Sequence, residues 1–150
     1  MSKHTIWIID TSVFLNILDI PGYNQKRKSI ISDFKIYIKN GDTFFLPYSA
    51  LLETGNHIAQ LNGNIKFVKA KEYVKQVKLA LEDKAPFKPL KFPEKEDLFK
   101  WIDGFPEKAG KGIGFGDFSI IKDWEEQVKK YQGWSVKIWS LDRHLQGYHK

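Results

Sequence analysis

Apolar residues along the chain come in short blocks, and their spacing changes from block to block. Ile6 to Ile9 is an unbroken apolar run that stops at Asp10. A strand without polar alternation is buried on both faces, which predicts the centre of a parallel sheet. Thr11 and Ser12 stand where they can cap a short helix carrying Val13, Phe14, Ile17 and Leu18, and Pro21-Gly22 ends it. Ile30, Ile31, Phe34, Tyr37 and Ile38 recur at helical spacing, so a helix is expected over about 27–39, stopped by Asn40-Gly41. Thr43 to Leu46 reads as a second strand, and Pro47 leads into a helix over about 48–60 that contains Glu53. Beyond the Asn62-Gly63-Asn64 turn, a helix over about 66–81 is expected to present Val68, Tyr73, Val74, Val77 and Leu81 on one side and lysines on the rest. Residues 84–93 interleave Pro86, Pro89 and Pro93 with Phe87, Leu90 and Phe92, which reads as a rigid apolar connector. A short helix over about 94–102 precedes a glycine-rich stretch, 104–116, read as a flexible loop. A helix from Asp117 to about Tyr131 turns Ile120, Ile121, Trp124 and Val128 inward, and a last strand, Trp134 to Trp139, leads to Asp142.

Strands separated by helices predict an α/β chain: a three-layer α/β/α arrangement with a central, mostly parallel sheet of four or five strands. The 150 residues suit one domain over 1–150. The apolar runs are too short to span a bilayer, and no secretory signal is visible at the start. The absence of cysteine excludes disulfides and thiolate metal sites. Together these predict a cytoplasmic protein with no membrane partner. The formal charge of +6 suits either a polyanion partner or simple solubility. Only Arg27 and Arg143 are arginine, so an interface built on bidentate arginine–base contacts is disfavoured.

Four carboxylates stand out by position. Asp10 and Asp142 follow apolar strands, Asp117 opens a helix after the glycine-rich stretch, and Glu53 lies in a helix that follows a strand. Parallel strands share one carboxyl-terminal rim, where ligands of open α/β sheets bind, so these acids can converge there. Crowded carboxylates rise in pKa unless a cation neutralises them. Mg²⁺ or Mn²⁺ is the natural choice, and such an ion activates water and neutralises charge on a phosphoryl group. Thr11 can position that water or one of the acids. Each acid also has a plainer reading: Asp10 and Asp142 as helix caps or turn formers, Asp117 as a favourable first-turn acid, and Glu53 as a solvent-facing one.

The four segments resemble a PIN domain, in particular the small toxin ribonucleases of the VapC kind. Ile8-Ile9-Asp10-Thr11-Ser12-Val13 is similar to the family's opening strand, aspartate and hydroxyl. Pro47 to Glu53 resembles its second-acid helix, Gly114 to Ile121 its third-acid segment around Asp117, and Ile138 to Asp142 its last strand and fourth acid, with Ser140 in a hydroxyl position. The resemblance covers most of the chain in order and spacing. It implies an Mg²⁺ or Mn²⁺ site built by Asp10, Glu53, Asp117 and Asp142, supported by Thr11 and Ser140, and metal-dependent cleavage of RNA. It also implies an antitoxin protein as partner and a homodimer, as in many members.

Departures from the family pattern add candidates. Asn56 and His57 share a helical face with Glu53, and substrate contact or helix capping are both open to them. Arg143 and His144 follow the fourth acid and can serve phosphate binding, while Asp103 and Asp123 are reserve acids only. Gly112, Gly114 and Gly116 make no phosphate-binding loop, because no Gly-Lys-Ser/Thr follows. The histidines lack zinc-site spacing. Trp101, Trp124, Trp134 and Trp139 read as core or interface residues, and the lysines of 66–78 as a solvated face. Two other functions compete: a relative that binds nucleic acid or protein without cutting, and a phosphatase-like phosphotransfer enzyme. Ser12, standing where the latter wants a second acid, counts against it.

Overall fold

The computed structural model describes residues 4–149. The strands β1 (Thr5–Ile9), β2 (Thr43–Leu46), β3 (Phe87–Pro89) and β4 (Ser135–Trp139) form one sheet in the order β3-β2-β1-β4. Each neighbouring pair runs parallel, and one antiparallel bridge joins Lys137 to His149. The helices are α1 (Thr11–Ile17), α2 (Arg27–Lys39), α3 (Tyr48–Ala59), α4 (Ile65–Leu81), α5 (Lys95–Ile102), α6 (Phe105–Gly110), α7 (Phe115–Lys130) and α8 (Arg143–Gln146).

Alternation along the strands sorts the helices into two layers. Trp7 and Ile9 of β1, Phe44 and Leu46 of β2 and Trp139 of β4 face one core, with Phe14 of α1, Phe34 of α2, Leu51 of α3 and Ala80 of α4. Ile6, Ile8, Val136 and Ile138 face the other, with Ile120 and Ile121 of α7 and Leu145 of α8. The apolar run of β1 is therefore needed twice, once for each core, which is why it carries no polar residue. Every strand of this α/β/α arrangement ends on the same rim, and Asp10 lies there at the end of the inner strand β1. Among the described residues no helix is long and apolar enough to cross a membrane.

Several sequence expectations change. The connector over 84–93 contains β3, an edge strand in register with β2 through Phe87–Phe44 and Pro89–Leu46. An edge is the place where a strand tolerates proline. The glycine-rich stretch holds α6, with proline in its first turn, and the Phe105 ring packs 5.1 Å from that of Phe115 and 5.7 Å from that of Phe118. The apolar stripe of α4 splits. Tyr73 and Val77 pack on the core with Ala70 and Ala80, whereas Val68, Val74 and Leu81 are exposed. Val74 and Leu81 each follow a core-facing residue directly, and one residue turns a helix by about 100°, off the packed face.

Candidate functional site

A cleft of about 330 Å³ opens at the carboxyl-terminal rim, and Asp10, Glu53, Asp117 and Asp142 all line it. The four acids come from separate elements: the end of β1, α3, the first turn of α7 and the residue before α8.

Asp10 is buried, and its carboxylate makes no capping bond although its backbone caps α1. Its Oδ2 instead accepts from Ser12 Oγ at 2.9 Å and from Ser140 Oγ at 2.7 Å. The Asp10 amide donates to the Trp139 carbonyl at 3.0 Å, and the amides of Leu141 and Asp142 donate to Ser12 Oγ and Ser140 Oγ. These bonds tie the ends of β1 and β4 together around one carboxylate. Thr11 and Ser12 therefore do not cap α1. Ser12 holds Asp10, and Thr11 Oγ1 donates to Glu53 Oε2 at 3.1 Å.

Glu53 reaches this position because α3 is fixed from behind, Tyr73 of α4 donating through its hydroxyl to the Leu51 carbonyl at 2.7 Å. Its carboxylate occupies the space that a Cβ at Gly116 would need. Gly116 is the second residue of α7, so Glu53 rests at the positive end of that helix.

Asp142 does both things the sequence allowed. It lines the cleft, and its Oδ1 accepts from the His144 amide at 2.9 Å as the cap of α8. Asp117 has the most strained electrostatics. Its pKa is pushed up to about 7, first by burial, then by the charges of Asp10 and Asp142, a hydrogen bond shared with Asp142, and the charge of Glu53. All three other acids thus act on this one group.

His57 also lines the cleft, with its ring centroid 4.5 Å from that of Tyr23. The other sequence candidates do not join it. Asn56, Arg143 and His144 are exposed and lie outside the cleft lining. Asn56 and Arg143 each adjoin a residue that lines the cleft, His57 and Asp142, but a step of one residue points a side chain elsewhere, and His144 lies a further residue on. Asp123 is buried away from the cleft, with its pKa pushed up to about 7 by burial and, secondarily, by Glu126. Trp139 is core, Trp124 donates from Nε1 to the Val136 carbonyl, and Trp134 is exposed beside Tyr131. Sequence reading missed Leu15, Asn16, Tyr23, Gln25 and Lys26, which complete the cleft wall.

The donor set is all carboxylate oxygen, which suits a hard divalent cation, and the part of the Asp117 shift that follows burial, the charges of the three other acids, is repulsion that a cation relieves. Among the described residues, however, no group of three or more acidic or imidazole side chains is gathered tightly enough to hold one ion. The four acids line one cleft without closing on a single point. Mg²⁺ is usually held by only one or two carboxylates with several waters, so the donor chemistry fits without a closed cage.

The fold is a three-layer α/β/α sandwich consistent with the PIN and ribonuclease H-like class. No protein-family model, curated protein or solved structure matches the chain. The likeness to the PIN family therefore stands on the four acid-bearing segments themselves.

Proposed function

We propose that the chain is a divalent-metal-dependent endoribonuclease of the PIN kind, acting at the cleft lined by Asp10, Glu53, Asp117 and Asp142. The observation that carries this reading is the gathering of four acids from separate elements in one cleft, where burial first and then the charges of Asp10, Asp142 and Glu53 push the pKa of Asp117 up to about 7. Evolved sites place like charges together where a cation or a proton is to be held. Mg²⁺ or Mn²⁺ bound there supplies the activation of water and the neutralisation of charge on the phosphoryl group. The chain's own part is positional. Ser12 and Ser140 fix Asp10, Thr11 and the α7 terminus orient Glu53, and Asp142 is held by its capping bond. A cytoplasmic toxin role belongs to the same proposal, with an antitoxin protein or a second copy of the chain covering exposed apolar residues such as Phe67, Phe99 and Ile102.

A second reading has its own support. A PIN-like module that binds nucleic acid or protein without cutting fits the absence, among the described residues, of three acids gathered tightly enough to share an ion. The deciding experiment incubates nuclease-free protein with an RNA panel in Mn²⁺, in Mg²⁺ and in EDTA, and follows the melting temperature across the same ions. Cleavage that EDTA abolishes, together with a melting temperature raised by millimolar Mn²⁺, is the expected result. Strand binding without any cleavage, and no shift with either ion, would establish the second reading instead.

A further inference from the structure

The cleft lining holds two kinds of residue: the four acids, and a second set of Leu15, Asn16, Tyr23, Gln25, Lys26 and His57. The segment between α1 and α2 that carries Tyr23 and Lys26 is tied down. Asn16 is buried, donating from Nδ2 to the Ser12 carbonyl at 2.9 Å and accepting at Oδ1 from the Lys26 amide at 3.1 Å. Arg27 Nη1 donates to the carbonyls of Asn16 and Ile17, and Gln25 Nε2 to that of Gly22. Tyr23 is thus held at the lip with part of its ring open, tilted by 50° against His57.

His57 adds a donor. Its Nδ1 is buried without a hydrogen-bond partner. A neutral imidazole carries one N–H, and the tautomer with that proton on Nε2 is the one that can donate to a ligand while Nδ1 stays buried. Lys26 is exposed at the same lip and forms no ion pair among the described residues. A partly open aromatic ring, a free ammonium and an N–H donor around one cavity match the parts of a nucleotide: a base face and a phosphate.

We propose that Tyr23, Lys26 and His57 form a subsite for an unpaired nucleotide beside the four acids. The proposal rests on the nuclease reading and deepens it. The base stacks on the Tyr23 ring, while Lys26 and His57, in its Nε2–H tautomer, take that nucleotide's phosphate. Stacking needs an unpaired base, so the preferred substrate is a single strand. Lys26 also offsets the repulsion between a polyanion and four carboxylates.

The test measures binding of a fluorescent, cleavage-resistant 2′-O-methyl oligonucleotide to the full chain, as a single strand and as a duplex, over a range of salt. Tyr23→Ala is expected to weaken single-strand binding by roughly 5- to 100-fold, and Tyr23→Phe to restore it. Lys26→Ala should lower the salt slope by about one. Thermal melts check that both variants fold. Metal-dependent cleavage of the unmodified strand by wild-type protein is measured in parallel. If cleavage is present and Tyr23→Ala binds within two-fold of wild type, the subsite is wrong and the nuclease reading survives. If wild type neither binds nor cleaves the strand, both fall together.

Discussion

Carboxylates lie at both edges of the sheet, and the two edges treat them in opposite ways. At the amino-terminal edge Asp42 has three donors for two oxygens. The Thr5 amide and Asn40 Nδ2 donate to Oδ1, and Trp7 Nε1 donates to Oδ2, each at 2.9 Å. Trp7 in turn stacks on Tyr37 at 4.4 Å, and Lys137 lies 5.6 Å over its ring. Asp42 is a joint, with its charge spread over a complete set of partners. At the carboxyl-terminal edge four acids share few donors. Asp10 receives two hydroxyls, Glu53 one hydroxyl and Asp142 one amide, while Asp117 is paired with another acid. A carboxylate with its donors supplied holds structure together. Carboxylates left short of donors, with one of them, Asp117, raised in pKa by burial and by its acidic neighbours, have capacity for a ligand.

The sharpest way to break this contrast is Asp10→Asn. Both hydroxyls donate to the same oxygen, Oδ2, so asparagine can keep both bonds with its carbonyl and lose only the charge. RNA cleavage should fall by on the order of 100-fold or more, with metal-free stability unchanged or slightly raised. Equal cleavage by variant and wild type, each shown free of contaminating nuclease, would remove Asp10 from the site.

Gly116→Ala tests the same edge without touching an acid. The new Cβ meets the Glu53 carboxylate, the far end of a flexible side chain, so the fold survives and the carboxylate moves. Cleavage should drop on the order of 10- to 100-fold, while the thermal melt stays at or above wild type because alanine favours the helix. A fully active variant would show that Glu53 need not rest on α7.

Asp42→Asn probes the other edge and should give the reverse pattern. Asparagine offers one acceptor oxygen where donors approach both, so stability should fall by about 1–3 kcal/mol. Chemical denaturation reads this loss, and the metal-dependent activity of the folded fraction should be unchanged.

The last test reads a slope. In the metal-free fold Asp117 keeps its proton up to about pH 7, whereas the unfolded chain loses it near 3.8. The folded state then binds more protons between these values, so this group's contribution to stability is full below about 3.8 and is lost as pH rises past 7. Asp123, also raised to about 7, acts in the same direction. Asp117→Asn should match wild type at pH 4 and exceed it at pH 8 in denaturation without metal. Saturating Mn²⁺ should shrink the difference, because the cation relieves the same repulsion. Identical pH profiles for the two proteins would contradict the crowding.

The elements legible in the sequence were those whose own periodicity is long enough to show. The unbroken run of β1, the helical spacing of α2 and α7 and the proline before α3 each sit within a few residues of where they were expected. The four acids were legible for the same reason, since Asp10 and Asp142 follow a strand, Asp117 lies in the first turn of a helix and Glu53 lies within one. The misses involve short segments or their neighbours. β3 has three residues and α6 has six, too few to display a period. β3 is a strand only because β2 lies beside it to receive its hydrogen bonds.

What the chain determined by itself was therefore the order of strands and helices, and hence the shared rim with an acid near each of its parts. Tertiary structure decided which of the neighbouring polar residues entered the cleft. His57 faces it while Asn56, Arg143 and His144 do not, and Tyr23 and Lys26 arrive from a segment without any local signal. It also assigned the hydroxyls. Local sequence favours Thr11 and Ser12 as caps, but the approach of α3 brings Glu53 to Thr11, and the end of β4 brings Ser140 beside Ser12 and Asp10. Periodicity encodes which face of an element is apolar. The partner of a polar side chain depends on which distant element the packed cores bring beside it, as Ser140 is brought to Asp10 across 130 residues of chain.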